Sequence, residues 1–396
     1  MRIGISLVVA LLGAVEALSP KYAFGSSAAV LRDGSSIIVS TSSGQLILWK
    51  RGEVEPVWSL QTHGFSLGAR SPIAALSVLP NNSIVAVENG GRILHISENG
   101  KIISAYRPFY GFVRLKPDFL KVDWTDWAKQ VDYFSSTSAA YVDADARYVY
   151  LVPNEWVSVT KIELDKLLKL EDGVISLSEH IVFEFKDHNF FTSIKSGPPS
   201  VSLEGEWTTE PSWQPSTVAA CGGWLIVGSK EGYVEFIPEA KNLDKDRRLR
   251  QVGDQKRDPR NVIDAGCIND KLAYTVSFDT GHGEIQLWDV VSRNALSWVG
   301  LESNGHPGMA YVAAASASGE ELLSLGDVDV RLWKISERKL TLLSKYFLEY
   351  GAEESQHFAV VSLGSGDFVL SDGQRLWRVP SDGGEESVYA GPPPRK

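Results

Sequence analysis

Cysteine is scarce in this chain: Cys221 and Cys267 are the only two among 396 residues, which excludes a small domain stapled by disulfides and leaves the core to hold the fold together. Histidine is sparse too. None of His63, His95, His180, His188, His282, His306 and His357 has the HExxH spacing, and no Cys/His cluster has zinc-ligand spacing. Basic charge is in deficit, with 39 Lys+Arg against 49 Asp+Glu and a formal net charge of -10, which argues against a broad nucleic-acid footprint. Beyond the N-terminus no apolar run approaches the roughly 20 residues of a membrane helix. The remaining composition, 43% hydrophobic and 22% charged, is that of an ordinary globular chain.

Met1-Arg2, an apolar stretch from Ile3 to Val15 and small residues at Val15 and Ala17 have the order of a signal peptide cleaved after Ala17. Residues 1–17 are therefore expected to be removed, leaving a mature chain without a membrane span, secreted or held in the secretory-pathway lumen. The alternative is a structural N-terminal strand on a cytoplasmic protein. In the oxidising address, Cys221 and Cys267 lie at similar points of successive repeats and are candidates for a disulfide between neighbours, with two buried thiols as the alternative. Asn81-Asn82-Ser83 is an N-glycosylation sequon in a turn-forming Pro80-Asn81-Asn82 setting.

A recurring unit runs along the chain: two alternating strands joined by a Gly, Asn or Asp turn, the second often closed by Trp. Ile37-Ile38-Val39 leads to Gln45-Leu46-Ile47-Leu48-Trp49, and Leu272 to Val276 leads to Ile285-Gln286-Leu287-Trp288-Asp289. Leu322 to Leu325 leads to Val330-Arg331-Leu332-Trp333, and Phe368-Val369-Leu370 to Leu376-Trp377. A third, outer strand usually follows, as at Val54–Trp58, Lys101–Tyr106 and Lys339–Leu343. Such hairpins cannot bury both faces alone, so they stack as blades around an axis.

Leu287-Trp288-Asp289-Val290, Gly305-His306 and Leu332-Trp333 together resemble the WD40 repeat, within a WD40/YVTN/quinoprotein-like superfamily; Trp288, Asp289, His306 and Trp333 would then be structural residues. The resemblance implies an all-β chain: a single seven-bladed β-propeller of four-stranded antiparallel blades over residues 18–391, with a Pro-rich basic tail at 392–396. Seven blades require one blade between Ala139 and Ile162; an eighth around Glu179–Phe185 is the alternative. Two insertions interrupt the pattern, at about 107–134 and 186–213. In the first, Leu120, Trp124, Trp127, Val131 and Phe134 recur at helical spacing after Pro117, predicting a short helix. The second carries Trp207 and Trp213.

Trp124, Trp127, Trp207 and Trp213 are the candidate surface for a protein, peptide or glycan partner, since exposed aromatics dominate such contacts; packing on the chain's own propeller is the other reading. No cofactor, metal site or catalytic set is expected, and the favoured reading is a non-catalytic binding scaffold. The competing readings are a secreted hydrolase or quinoprotein-like enzyme and a cytosolic WD40-like scaffold. Asp289–Trp298 faintly resembles the quinoprotein blade motif, but Ser292-Arg293 stands where that motif has Thr-Gly.

Overall fold

A computed structural model describes residues 27–41, 44–62, 73–88, 91–108, 111–114, 137–143, 145–153, 158–170, 174–176, 181–184, 215–230, 232–239, 250–251, 261–278, 282–300, 304–308, 310–326, 329–346, 359–371 and 375–391. The chain is a seven-bladed β-propeller. The first blade is β1 (Ala28–Val30), β2 (Ser36–Ser40), β3 (Gln45–Lys50) and β4 (Trp58–Gln61). The second is β5 (Ile73–Val78), β6 (Ile84–Glu88), β7 (Ile93–Ile96) and β8 (Ile102–Pro108), extended by β9 (Gly111–Arg114). The third comprises β10 (Thr137–Val142), β11 (Tyr148–Pro153), β12 (Ser158–Glu163) and β14 (Ile181–Glu184). A helix, α1 (Leu164–Leu168), and a strand, β13 (Val174–Ser176), separate β12 from β14.

The fourth blade is β15 (Pro215–Cys221), β16 (Trp224–Ser229), β17 (Tyr233–Pro238) and β18 (Arg250–Gln251), and the fifth is β19 (Asn261–Asn269), β20 (Leu272–Phe278), β21 (Gly283–Asp289) and β22 (Asn294–Val299). The sixth is β23 (Ala310–Ala315), β24 (Glu321–Gly326), β25 (Val330–Ser336) and β26 (Lys339–Tyr346); the last is β27 (Ala359–Ser362), β28 (Phe368–Ser371), β29 (Leu376–Val379) and β30 (Ser387–Ala390). Every blade runs up and down in sequence order, inner strand to outer strand.

The first strands of the blades touch in a closed circuit, β1 to β5, β10, β15, β19, β23, β27 and back to β1. They converge on the axis, and their composition fits that crowding: Ala28-Ala29, Ala74-Ala75, Ala139-Ala140, Ala219-Ala220, Ala265-Gly266 and Ala313-Ala314-Ala315 all lie on these strands. The second strands are the most apolar and the most buried, β2, β6 and β28 throughout their length. A separate apolar cluster fills each of the seven seams between blades. At roughly 1.5–3 kcal/mol for each fully buried Val, Leu, Ile or Phe, these layers are what the ring closes to protect.

The closing seam joins blades whose described strands are each contiguous in sequence. Ile37, Val39 and Trp49 of the first blade pack with Val369, Leu376 and Tyr389 of the last. Two backbone bonds clasp the rim: Gly52 N–H donates to Tyr389 O and Gly391 N–H to Glu53 O, both at 2.8 Å. Between the second and third blades the tie is a strand: β13, from the connection after β12, pairs with β9 and makes the second blade a six-stranded sheet. Leu164 and Leu167 of α1 are buried in the same seam, and Tyr106 Oη donates to Leu168 O at 3.2 Å.

Two expectations are revised, and a third falls outside the described residues. Ile181–Glu184 is the outer strand of the third blade, so the segment proposed for an eighth blade completes the seven. The described helix is α1, between β12 and β13, whereas the helix expected after Pro117 lies outside the described residues. The outer strand of the first blade begins at Trp58 rather than Val54, because Pro56 has no N–H to give and the pairing with β3 starts where Val57 N–H donates to Leu48 O.

Candidate functional site

Strand direction sorts the connections onto two faces of the disc. First-to-second and third-to-fourth strand turns leave on one face; second-to-third turns and the links between blades leave on the other. The first face is built mostly of tight turns tied across the seams, with longer connections at 164–180 and 239–249. Asn82 Oδ1 accepts from Arg32 N–H at 3.2 Å, and Trp58 Nε1–H donates to Glu98 O at 2.8 Å, joining blades one and two. Between blades three and four, Tyr150 Oη donates to Glu239 at 2.7 Å. Burial, then that bond, raises the Tyr150 pKa well above the phenol range.

The fourth and fifth blades are joined by a disulfide between Cys221, at the end of β15, and Cys267 on β19, with Cα atoms 5.1 Å apart. Arg293 also lies over the Trp224 ring, 4.9 Å from its centroid. Asp289, the acid of the Trp-Asp pair, is buried at the next seam and bonded to Arg338 at 2.8 Å; its pKa is lowered by the Ser292 N–H against the opposing effect of burial. Ser344 Oγ donates to Gly383 O at 3.1 Å between blades six and seven, and Tyr389 Oη to Ser35 O at 3.0 Å across the closure.

The opposite face carries the links between blades, and two of them are fixed at their roots by the same device. In the second blade Arg92 is held by Glu88 at 2.6 Å, both buried, and Nη2–H donates to Thr62 O at 3.0 Å, where the link from β4 begins. In the sixth, Arg331 is held by Asp329 at 2.8 Å and donates to Asn304 O in the link from β22. Each arginine stands at the start of a third strand; Glu88 closes the second strand before it, and Asp329 lies in the turn before it. The pairs turn a carbonyl at the base of a loop into a fixed point.

Around Asp329 the motif residues come together. His306 Nδ1 lies 2.5 Å from Asp329 Oδ1, His306 Nε2 2.7 Å from Ser324 Oγ, and Trp333 Nε1–H donates to Ser324 Oγ at 2.8 Å. Burial raises the Asp329 pKa, but the His306 and Arg331 bonds outweigh it and hold the carboxyl well below its usual range. Trp288 makes the shorter version of this network in the fifth blade, donating to Thr275 Oγ1 at 2.9 Å. Ser324 and Asp329 were missed by sequence reading, although each holds its position in the repeat.

Ser324, His306 and Asp329 have the connectivity of a nucleophile, base and orienting acid. All three are 0% exposed, and Ser324 Oγ already accepts the indole N–H. No acyl group can reach that hydroxyl, so the relay is structural. Gly64-Phe65-Ser66-Leu67-Gly68 matches the G-x-S-x-G spacing of a nucleophile elbow, a match the sequence reading overlooked. It lies between β4 and β5, outside the described residues; the elbow motif opens a helix, whereas the next described element here is a strand. Among the described residues no group of three His, Cys, Asp or Glu is placed to hold a metal ion, and no helix is long and apolar enough to cross a membrane.

Trp124 and Trp127 lie between β9 and β10, and Trp207 and Trp213 between β14 and β15, all outside the described residues. The second link leaves β14 and enters β15 on the face opposite the stitched turns; the first leaves β9, which is antiparallel to β8 and so runs back toward the stitched face, and enters β10 on the opposite one. Asn81 is exposed at the turn between β5 and β6, on the stitched face. The signal-peptide residues and the 392–396 tail also lie outside the described residues.

No protein-family model matches the sequence, and no curated protein does. Solved structures do match in shape. The structure of U3-55K aligns at a TM-score of 0.56 with 13% identity over 89% of each chain. The RRP9 WD40 repeats align at 0.56 with 12% identity over 89% of this chain and 88% of that one. The C-terminal WD40 domain of Sif2 aligns at 0.51 with 12% identity, covering 93% and 95%. At such identities the likeness is one of fold.

Proposed function

From a chain whose fold is the WD40-type seven-bladed propeller, divergent in sequence, we propose a non-catalytic binding scaffold of the secretory pathway or extracellular space. Its partner is a protein, peptide or glycan seated on the face that carries the links between blades. The observation that carries this reading is the division of labour between faces. One face carries mostly short turns that tie blade to blade, with longer connections only at 164–180 and 239–249, while the other receives the links between blades: those from β4 and β22 on roots fixed by Glu88–Arg92 and Asp329–Arg331, and those before β10 and β15 carrying the tryptophans. A rigid ring with long loops at one end is the arrangement on which binding residues are commonly carried. Fold alone does not specify function; the difference between the two faces does the distinguishing.

The address is supported by the leader-like Met1 to Ala17, the sequon at Asn81 and the Cys221–Cys267 bond, a linkage that persists in oxidising compartments. The acidic balance disfavours nucleic acid as the partner. Expression from the native N-terminus in a secretory host tests the address: the reading expects a secreted chain beginning at Leu18, and an intracellular chain retaining Met1 would return it to cytosolic scaffolds. Replacing Trp124, Trp127, Trp207 and Trp213 by Ala tests the face. Loss of partner binding with an unchanged melting temperature supports it, and unchanged binding removes these residues from the site.

A further inference from the structure

We propose that Asn81 is an N-glycan attachment site that is read on the nascent chain, before the second blade folds, and that its glycan then occupies the stitched face. The proposal rests on the secretory address above. Asn81 stands exposed at the tip of the β5–β6 turn, and its Nδ2 makes no hydrogen bond among the described residues. The Asn81 Oδ1 accepts from Ser83 N–H at 3.0 Å and from Ser83 Oγ–H at 2.7 Å. The fold therefore tolerates a bulky group on Nδ2, since nothing is broken by placing it there.

Ser83 is in the opposite condition. It is 4% exposed, and its Oγ also lies 2.8 Å from His95 Nε2 in the neighbouring strand. A transferase that must recognise both the Asn amide and the hydroxyl two residues on finds the first at the surface of the native blade and the second sealed beneath it. The reaction thus belongs to the unfolded segment. Asn81 Nδ2 forms a bond to the anomeric carbon of a lipid-pyrophosphate-linked oligosaccharide; the bond from that carbon to the pyrophosphate oxygen breaks, the lipid pyrophosphate leaves with the electron pair, and one amide proton passes to base. When β5, β6 and β7 then pair, Ser83 is buried and the glycan is left on the turn. Asn82, at φ 62°, fixes that turn by accepting from Arg32 N–H of the first blade. A glycan there covers the seam between blades one and two on the face away from the links, leaving the opposite face to the partner.

The test is translation of the full chain with endoplasmic-reticulum microsomes, set beside exposure of the purified, folded chain and of a peptide spanning 76–88 to the solubilised transferase. The expected result is one glycan on the translocated chain and on the peptide and none on the folded chain. The nascent-chain signal is lost in N81Q and S83A and kept in S83T, a readout that does not depend on whether the variants fold. A translocated chain, processed at its N-terminus but carrying no glycan, overturns the site while leaving the secretory address standing. A chain that is never translocated overturns both, and equal modification of the folded chain overturns the order of events.

Discussion

Asp264 on β19 accepts from Ala313 N–H of the next inner strand at 2.9 Å, while Tyr274 Oη donates to the carbonyl of the same Ala313 at 2.6 Å. Burial raises the Asp264 pKa to about 7, against the N–H bonds of Ala313 and Ala265 that act to lower it. A carboxyl whose folded pKa exceeds its unfolded value near 3.9 binds more protons in the folded chain, so stability falls as pH rises from about 4 to about 7. Asp264→Asn keeps an acceptor for Ala313 and removes that slope. The advantage of the variant over the native chain is expected to grow by about 2–3 kcal/mol between pH 5 and pH 8, read from denaturant unfolding; a constant difference would show that Asp264 ionises freely. The Ser324–His306–Asp329 relay gives a second expectation. A fluorophosphonate leaves Ser324 unmodified in the folded chain, whereas His306→Ala costs about 3–5 kcal/mol because it breaks a buried pair; labelling at Ser324 would revive the hydrolase reading. His306 and Trp333 were legible from Gly-His and Trp spacing. Their partners were not, because Ser324 lies 18 and Asp329 23 residues beyond His306 and only the blade brings them together.

Hairpins of second and third strands were legible because their alternation and Gly turns are local, and the Trp49, Trp288, Trp333 and Trp377 strands appear where the repeat places them. Inner strands were not. Runs such as Val218-Ala219-Ala220 and Ala313-Ala314-Ala315 lack the contrast that marks a strand, although crowding at the axis is what selects them. The β9–β13 pairing escaped notice for another reason: its partners lie some sixty residues apart, Val113 opposite Val174, and neither strand has a repeat to announce it. Braced arginines are the other device invisible in sequence. Glu88→Gln leaves Arg92 buried without its counter-charge, and the expected loss is about 3–5 kcal/mol, with faster hydrogen exchange at Thr62 ahead of global unfolding; a loss below about 0.5 kcal/mol, the size typical of a surface change, would show that the pair fixes nothing.

A ring stands or fails at its seams, and in this one each seam has its own apolar layer and its own tie, six among the stitched-face turns and the β9–β13 pairing between the second and third blades. The Cys221–Cys267 bond encloses 46 residues of separation, so replacing both by Ser is expected to lower stability by about 2–4 kcal/mol through the unfolded state, leaving the circular dichroism of the folded chain unchanged. Blade count was legible, since it follows from the repeat period. The face on which the chain enters each first strand was not, because that requires the strand directions. The central claim is that the partner docks on the face where the links enter the first strands, and site-specific photo-crosslinking tests it most directly. With benzoylphenylalanine placed singly at Trp124 and Trp207 in the two links and at Glu53 and Arg338 in stitched-face turns, secreted protein is expected to give partner adducts from the first pair alone. Adducts from Glu53 or Arg338, with none from the tryptophan positions, would contradict the account.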